Sequence, residues 1–216
     1  MKRNRYLWWS IMGSLLPLLG GIAAQAQTLT LHSGFDTNLE GWTSSGGTIS
    51  HAATGGNPGG HLVQVDIDLQ DMFVTAPALF LGNQSAFLGG TLTFDARQII
   101  GTADYVPFGI VMLRSSGGIN VFADIAPPAF PSSDWSTFSV PLTAAAFGTS
   151  PTTFATVMNQ LSAIEVTLES SVGVVETVGF DNFRLQAAAV PEPSSLMLGL
   201  AAMAVGMGWR LRRVER

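Results

Sequence analysis

Short stretches of alternating apolar and polar residues recur through the middle of the chain, and this period of two predicts half-buried β-strands. Val63, Val65, Ile67 and Leu69 are expected to face inward, with Gln64, Asp66, Asp68 and Gln70 toward water. Leu92, Phe94 and Ala96 alternate with Thr93, Asp95 and Arg97; Phe138, Val140 and Leu142 repeat the pattern, as do Ile164, Val166 and Leu168 against Glu165, Thr167 and Glu169. Glycine-rich punctuation at Gly55–Gly60, Gly89–Gly90 and Ser116–Gly118 supplies the turns between them. Many short strands with turns at this spacing predict an all-β sandwich.

One segment departs from that period. Ser150 is suited to cap a helix and Pro151 to its first position, and Phe154, Val157, Met158 and Leu161 then follow helical spacing. The final strand shows a different irregularity: Val178 and Phe180 share one parity, Phe183 and Leu185 the other. A β-bulge at Asp181–Asn182 would keep all four facing the core.

The two ends carry apolar runs of another kind. Lys2, Arg3 and Arg5 precede an apolar stretch and then Ala24-Gln25-Ala26, the plan of a secretory signal peptide cleaved after Ala26. At the other end Pro191-Glu192-Pro193 precedes an apolar run from Leu196 to Trp209, then Arg210, Arg212 and Arg213. That run reaches about 21 Å as a helix against a hydrocarbon core of roughly 30 Å, so a transmembrane helix over about 194–209 is only marginally long. The arginines are expected to stay cytoplasmic, which places the domain of 27–189 outside the inner membrane.

Composition sharpens this reading. Among the 216 residues there is no cysteine, which excludes disulfides and thiolate metal sites. The segment 27–190 holds three arginines (Arg97, Arg114, Arg184) against thirteen acidic residues, a formal charge of −10. Such a domain repels phosphate backbones, so nucleic acid is not an expected partner. His32, His51 and His61 show no metal-ligand spacing, and no HExxH, GxSxG, Walker or Rossmann motif occurs.

The order Pro-Glu-Pro, short apolar helix, arginine cluster resembles the PEP-CTERM sorting signal of Gram-negative bacteria, also labelled an ice-binding protein C-terminal domain. That resemblance implies processing by exosortase as well as signal peptidase, release or attachment at the cell surface, outer membrane or extracellular matrix, and an association with exopolysaccharide.

A second resemblance rests on Pro77-Ala78-Leu79-Phe80-Leu81-Gly82-Asn83-Gln84-Ser85 and Gly89-Gly90-Thr91-Leu92-Thr93-Phe94-Asp95, with Trp135–Leu142 and the helix running into Leu161. These are similar to the laminin IV type A (laminin B) domain, a galactose-binding-like jelly roll with one short helix. The likeness implies first and last strands lying close together and sharing a structural calcium ion. Asp36, Glu40 and Asp181 are then the candidate ligands, since calcium takes six to eight oxygens.

Trp42, Phe73, Tyr105 and Trp135 are the candidate sugar-stacking aromatics, each weighed against burial in the core. Asp66, Asp68 and Asp71 are read as a solvated acidic row. The expected function is a non-catalytic exported protein binding exopolysaccharide or other surface proteins. A structural coat or adhesion component without a ligand site is the alternative, and a glycan hydrolase, needing two carboxylates across a cleft, the third.

Overall fold

The computed structural model describes residues 28–68, 70–105, 107–125, 130–172 and 176–189. The predicted signal peptide and sorting tail, including Ala24, Ala26, Pro191, Glu192, Pro193, Arg210, Arg212 and Arg213, lie outside them, as does Leu69. Among the described residues no helix is long and apolar enough to cross a membrane. Gln27–Val190 is a compact unit in its own right.

Among the described residues eleven strands build two sheets: β1 (Thr30–Ser33), β2 (Thr43–Ser45), β3 (Gly47–Ala52), β4 (His61–Asp66), β5 (Phe73–Thr75), β6 (Thr91–Ile100), β7 (Val111–Ser115), β8 (Asn120–Ala123), β9 (Ser136–Pro141), β10 (Leu161–Thr167) and β11 (Thr177–Gln186). One sheet has the order β3-β4-β11-β6-β9, with β1 also on β11; the other runs β2-β5-β10-β7-β8. All the pairings are antiparallel.

β11 organises the six-stranded sheet. Along one edge it pairs with β4 from Thr177 to Phe180 and then with β1 from Phe183 to Gln186; along the other it pairs with β6. The changeover coincides with the expected bulge, where the register slips between Asp181 and Arg184 and Asn182 adopts φ 51°. The extra residue keeps both Phe180 and Phe183 in the core.

Aromatic rings fill the space between the sheets. Trp42 and Phe80 each meet Phe183 edge-on with ring centroids 4.9 Å apart, and Phe94 stacks on Phe138 at 5.4 Å. Each such pair adds about 0.5–1.5 kcal/mol to the burial of its rings. The helix α1 (Pro151–Asn159) forms as its sequence predicts: the Ser150 hydroxyl accepts from Thr153 N, and Phe154, Val157 and Met158 are buried.

β4 reverses the expected orientation. Leu62, Gln64 and Asp66 point into the sandwich, whereas Val65 is 37% and Ile67 61% exposed. The reason is local satisfaction of a polar group: Gln64 Nε2 donates to the carbonyls of Ser45 and Phe73 on the opposite sheet, so an amide crosslinks the two layers where a leucine was expected. On β10 the inward set Ile164, Val166 and Leu168 is correct, but Thr167 and Glu169, expected in water, are buried too. The acidic row also breaks up, since only Asp68 and Asp71 remain outside.

Candidate functional site

The four expected stacking aromatics do not share a surface. Trp42 is 3% exposed, its indole N–H donating to Ser33 Oγ, and belongs to the core; it is withdrawn as a ligand contact. Phe73 is half-buried on the outer side of β5, and Tyr105, in the β6–β7 connection, donates its hydroxyl to Asp71 Oδ1 at 3.0 Å. Trp135, entering β9, is half-buried over the outer face of the six-stranded sheet.

Trp135 lies there because β11 carries Gly179 where any larger residue would collide. A Cβ at Gly179 would sit 3.0 Å from Trp135 Cη2, 3.2 Å from Arg97 Cγ and 3.3 Å from His61 Cδ2. Register brings these together, since Gly179 pairs with Arg97 on β6 and Val63 on β4. The Trp135 indole N–H donates to the Gly55 carbonyl at 3.0 Å, tying the ring to the glycine-rich β3–β4 loop. His61 meets the indole edge-on at 5.3 Å and the Arg97 guanidinium lies 5.0 Å over the ring.

This cluster holds unused hydrogen-bonding capacity. Both ring nitrogens of His61 and Nε of Arg97 are buried without a partner. Burial, then Arg97, then His51 hold the His61 pKa below its ordinary value, so the ring is neutral; the Thr54 backbone opposes this without reaching hydrogen-bond geometry. Among the described residues the only ion pair is Arg114–Glu165, so Arg97 faces no carboxylate within salt-bridge distance.

Beside this cluster the bulge builds a polar knot. Asp181 is fully buried; Asn57 N donates to its Oδ2 at 2.6 Å and Asn182 N to its Oδ1 at 2.7 Å. Its neighbour Asp95 accepts from the Asn57 and Asn182 amides and from the Thr137 hydroxyl, at 3.0, 2.8 and 2.6 Å. Burial is the main cause that raises the Asp181 pKa, reinforced by the Asp95 and Asp36 carboxylates and opposed by the two N–H donors. A hollow of about 200 Å³ opens over this knot, with Thr93 and Arg184 completing its walls.

The expected calcium trio does not assemble. Asp36 and Asp181 both lie against the Gly55–Gly60 loop, where a Cβ on Gly59 would strike the first and one on Gly56 would come within 2.9 Å of the second. Glu40 is turned elsewhere: it accepts from Ser33 Oγ at 2.5 Å and Phe35 N at 2.7 Å, pinning the backbone of Phe35 at φ 52°. Among the described residues no three acidic or histidine side chains are grouped so as to hold a metal ion. The observed donor set therefore does not fit the full calcium site that the laminin-like resemblance implies.

A second polar group sits where β4 and β10 end. Glu176 accepts from the backbone N and hydroxyl of Ser170, Glu169 from Met72 N, and Asp66 Oδ2 is buried with no partner. Burial, with Glu176, Asp66 and Asp71 nearby, pushes the Glu169 carboxyl up to about 7 despite the Met72 N–H.

Arg97, His61, Asn57, Asp95 and Asn182 were not singled out in the sequence. Arg97 had one usable signal: it is among three basic residues in an acidic domain and occupies an outward position on a strand. Of the knot, the parity change at Asp181–Asn182 was the one signal, because Asn57 and Asp95 join it through strand register and the path of the β3–β4 loop.

The comparisons with known proteins agree on fold and sorting. Residues 189–213 match the PEP-CTERM protein-sorting motif. No curated protein matches the chain in sequence. Among solved structures, an exo-β-agarase shares the fold with TM-score 0.54 and 14% identity over 78% of this chain, which spans only 26% of that enzyme. The L4b domain of human laminin alpha-2 is similar at TM-score 0.49 and 11% identity, over 59% of this chain and 80% of that domain. A family 11 carbohydrate-binding module of Clostridium thermocellum gives 0.48 and 13%, over 78% and 99%. The chain thus carries a PEP-CTERM sorting motif, the mark of an exported cell-surface or extracellular protein, following an all-β sandwich of two antiparallel sheets.

Proposed function

We propose that the sandwich is a non-catalytic carbohydrate-binding domain that takes polysaccharide along the outer face of its six-stranded sheet. The observation that carries this reading is the juxtaposition of a half-buried tryptophan, Trp135, with a hollow of oriented amides, hydroxyls and an arginine on one strand surface. An indole offers an apolar ring face to a pyranose, while Asn57, Asn182, Thr137 and Arg184 supply the fixed polar groups that orient its hydroxyls. The outward turn of Val65, with Thr177 between it and Ile100, extends the face with apolar side chains.

A hydrolytic reading is disfavoured by the same geometry. Asp95 and Asp181 are directly paired neighbours on adjacent strands, both buried and already occupied by donors, rather than facing each other across a cleft. The sorting motif supports passage through an exosortase system, which brings the domain to where surface polysaccharide is the abundant ligand.

The test is a polysaccharide panel on purified Gln27–Val190. Binding to one or more polymers, lost in Trp135→Ala with the fold intact by circular dichroism, is the expected outcome. A domain that binds none of them is a structural coat component instead.

A further inference from the structure

Arg97 is placed differently from the other two arginines of the domain. Arg114 is paired with Glu165 at 2.9 Å, and Arg184 donates to Asn182 Oδ1 at 3.2 Å. Arg97 makes no hydrogen bond among the described residues, its Nε is buried without a partner, and its guanidinium is fixed over the Trp135 ring. In a domain with thirteen acidic residues to three arginines, an unpaired arginine held rigid against an indole is the exception to explain. Asp95, two residues away on the same strand, does not neutralise it, because its oxygens are engaged by Asn57, Asn182 and Thr137.

The partnerless His61 nitrogens and Arg97 Nε are buried, so the donors a ligand meets are the two Nη groups of Arg97, which His61 and Trp135 hold in place. A Cβ added at Gly55 would lie 3.6 Å from Arg97 Nη2 and 3.7 Å from His61 Cε1, so both side chains gather beneath that one glycine. A neutral imidazole offers one donor and one acceptor, and a guanidinium offers only donors in a planar fork. Water or a neutral hydroxyl satisfies such a fork one bond at a time; a carboxylate satisfies two parallel N–H groups at once and supplies the opposite charge.

We infer that the Arg97–His61–Trp135 cluster recognises a carboxylate-bearing sugar, so that the ligand class is a polysaccharide containing uronic acid units. This rests on the carbohydrate-binding reading above and deepens it: Trp135 takes the sugar ring and Arg97 selects the acidic substituent. The domain's charge of −10 does not forbid this, since screening limits distant carboxylates to about 8 Å at physiological salt while Arg97 acts at contact. It does predict that binding is restricted to polymers whose carboxylates can be presented singly to this corner of the sheet.

The experiment compares polygalacturonate, polyglucuronate and alginate with their carboxyl-reduced neutral counterparts by calorimetric titration of Gln27–Val190. At least one acidic polymer is expected to bind about tenfold or more tightly than its reduced form, the effect of one charge-assisted contact. Arg97→Gln is expected to bring that ratio close to one, and Trp135→Ala to abolish binding of acidic and reduced forms alike. Equal affinity for every acidic and reduced pair, or an undiminished ratio in Arg97→Gln, overturns the inference and leaves the carbohydrate reading standing. Failure to bind any polymer, acidic or neutral, sinks both. Should Arg97→Gln not fold, tryptophan fluorescence of the unaltered domain decides: methyl uronosides must perturb it where the matching neutral methyl glycosides do not, and an identical response overturns the inference.

Discussion

The two ends of β4 lie in opposite chemical worlds. His61 opens the strand among an arginine, an indole and glycines, with imidazole nitrogens that lack partners; Asp66 closes it among Glu169 and Glu176, with a carboxylate oxygen that lacks one. The first region carries spare donors next to an accessible face. The second carries spare acceptors in a closed cluster, where burial and the neighbouring carboxylates push the Glu169 carboxyl up to about 7. Burial of unmatched polar groups thus acts in opposite directions at the two ends of the strand, lowering the pKa of a base at one and raising that of an acid at the other.

The sharpest way to break this comparison is to fill the floor of the open region. Gly179→Val places branched carbon where Trp135, Arg97 and His61 already touch, and is expected to dislodge the indole, abolish polysaccharide binding and destabilise the domain by about 3 kcal/mol. Chemical denaturation with a parallel binding assay measures both effects.

Next in size is the pH response of the closed region. The folded state holds the Glu169 proton up to about 7, whereas an unfolded glutamate releases it near 4.5. The folded state therefore binds more protons between those values, so stability is greatest below 4.5 and falls as pH rises to about 7, by roughly 3 kcal/mol. Asp181, whose pKa is also raised, adds a decline of the same sign, and His61, whose pKa is lowered, one of opposite sign below 6.5. Glu169→Gln is expected to raise the melting temperature at pH 8 by several degrees and leave it nearly unchanged at pH 4, as thermal melts at the two pH values will show.

A smaller effect separates the arginines. Arg114→Gln removes an ion pair whose side chains are 43% and 20% exposed, and is expected to cost less than about 1 kcal/mol with binding unaltered. If denaturation shows a larger loss, the contrast between a paired surface arginine and the unpaired Arg97 needs another basis.

Much of this architecture is legible before any coordinates. The helix boundary at Ser150–Pro151, the bulge after Asp181 and the inward sets on β6, β9 and β10 follow from period and cap chemistry. β4 misleads because the Gln64 amide donates across the sandwich to Ser45 and Phe73, a tertiary effect that overrides the preference of valine for the interior. Glu169 misleads for the same reason, through Met72. At the site, composition points to Trp135 and Asp181, but it cannot tell Trp42 from Trp135: both indoles donate a hydrogen bond, one inside the core and one to a loop carbonyl. The pairing of Arg97 with Gly179 is a fact of register alone.

The position of β11 has a mechanical consequence. The strand that leads toward the sorting motif is bonded on both sides, to β6 along one edge and to β4 and then β1 along the other, and Ala187 N donates to Leu29 O just beyond it. A domain tethered through its C-terminal end hangs from its interior strand rather than from a rim. Tension along that strand loads two ladders in shear, many bonds together, instead of peeling them apart one by one.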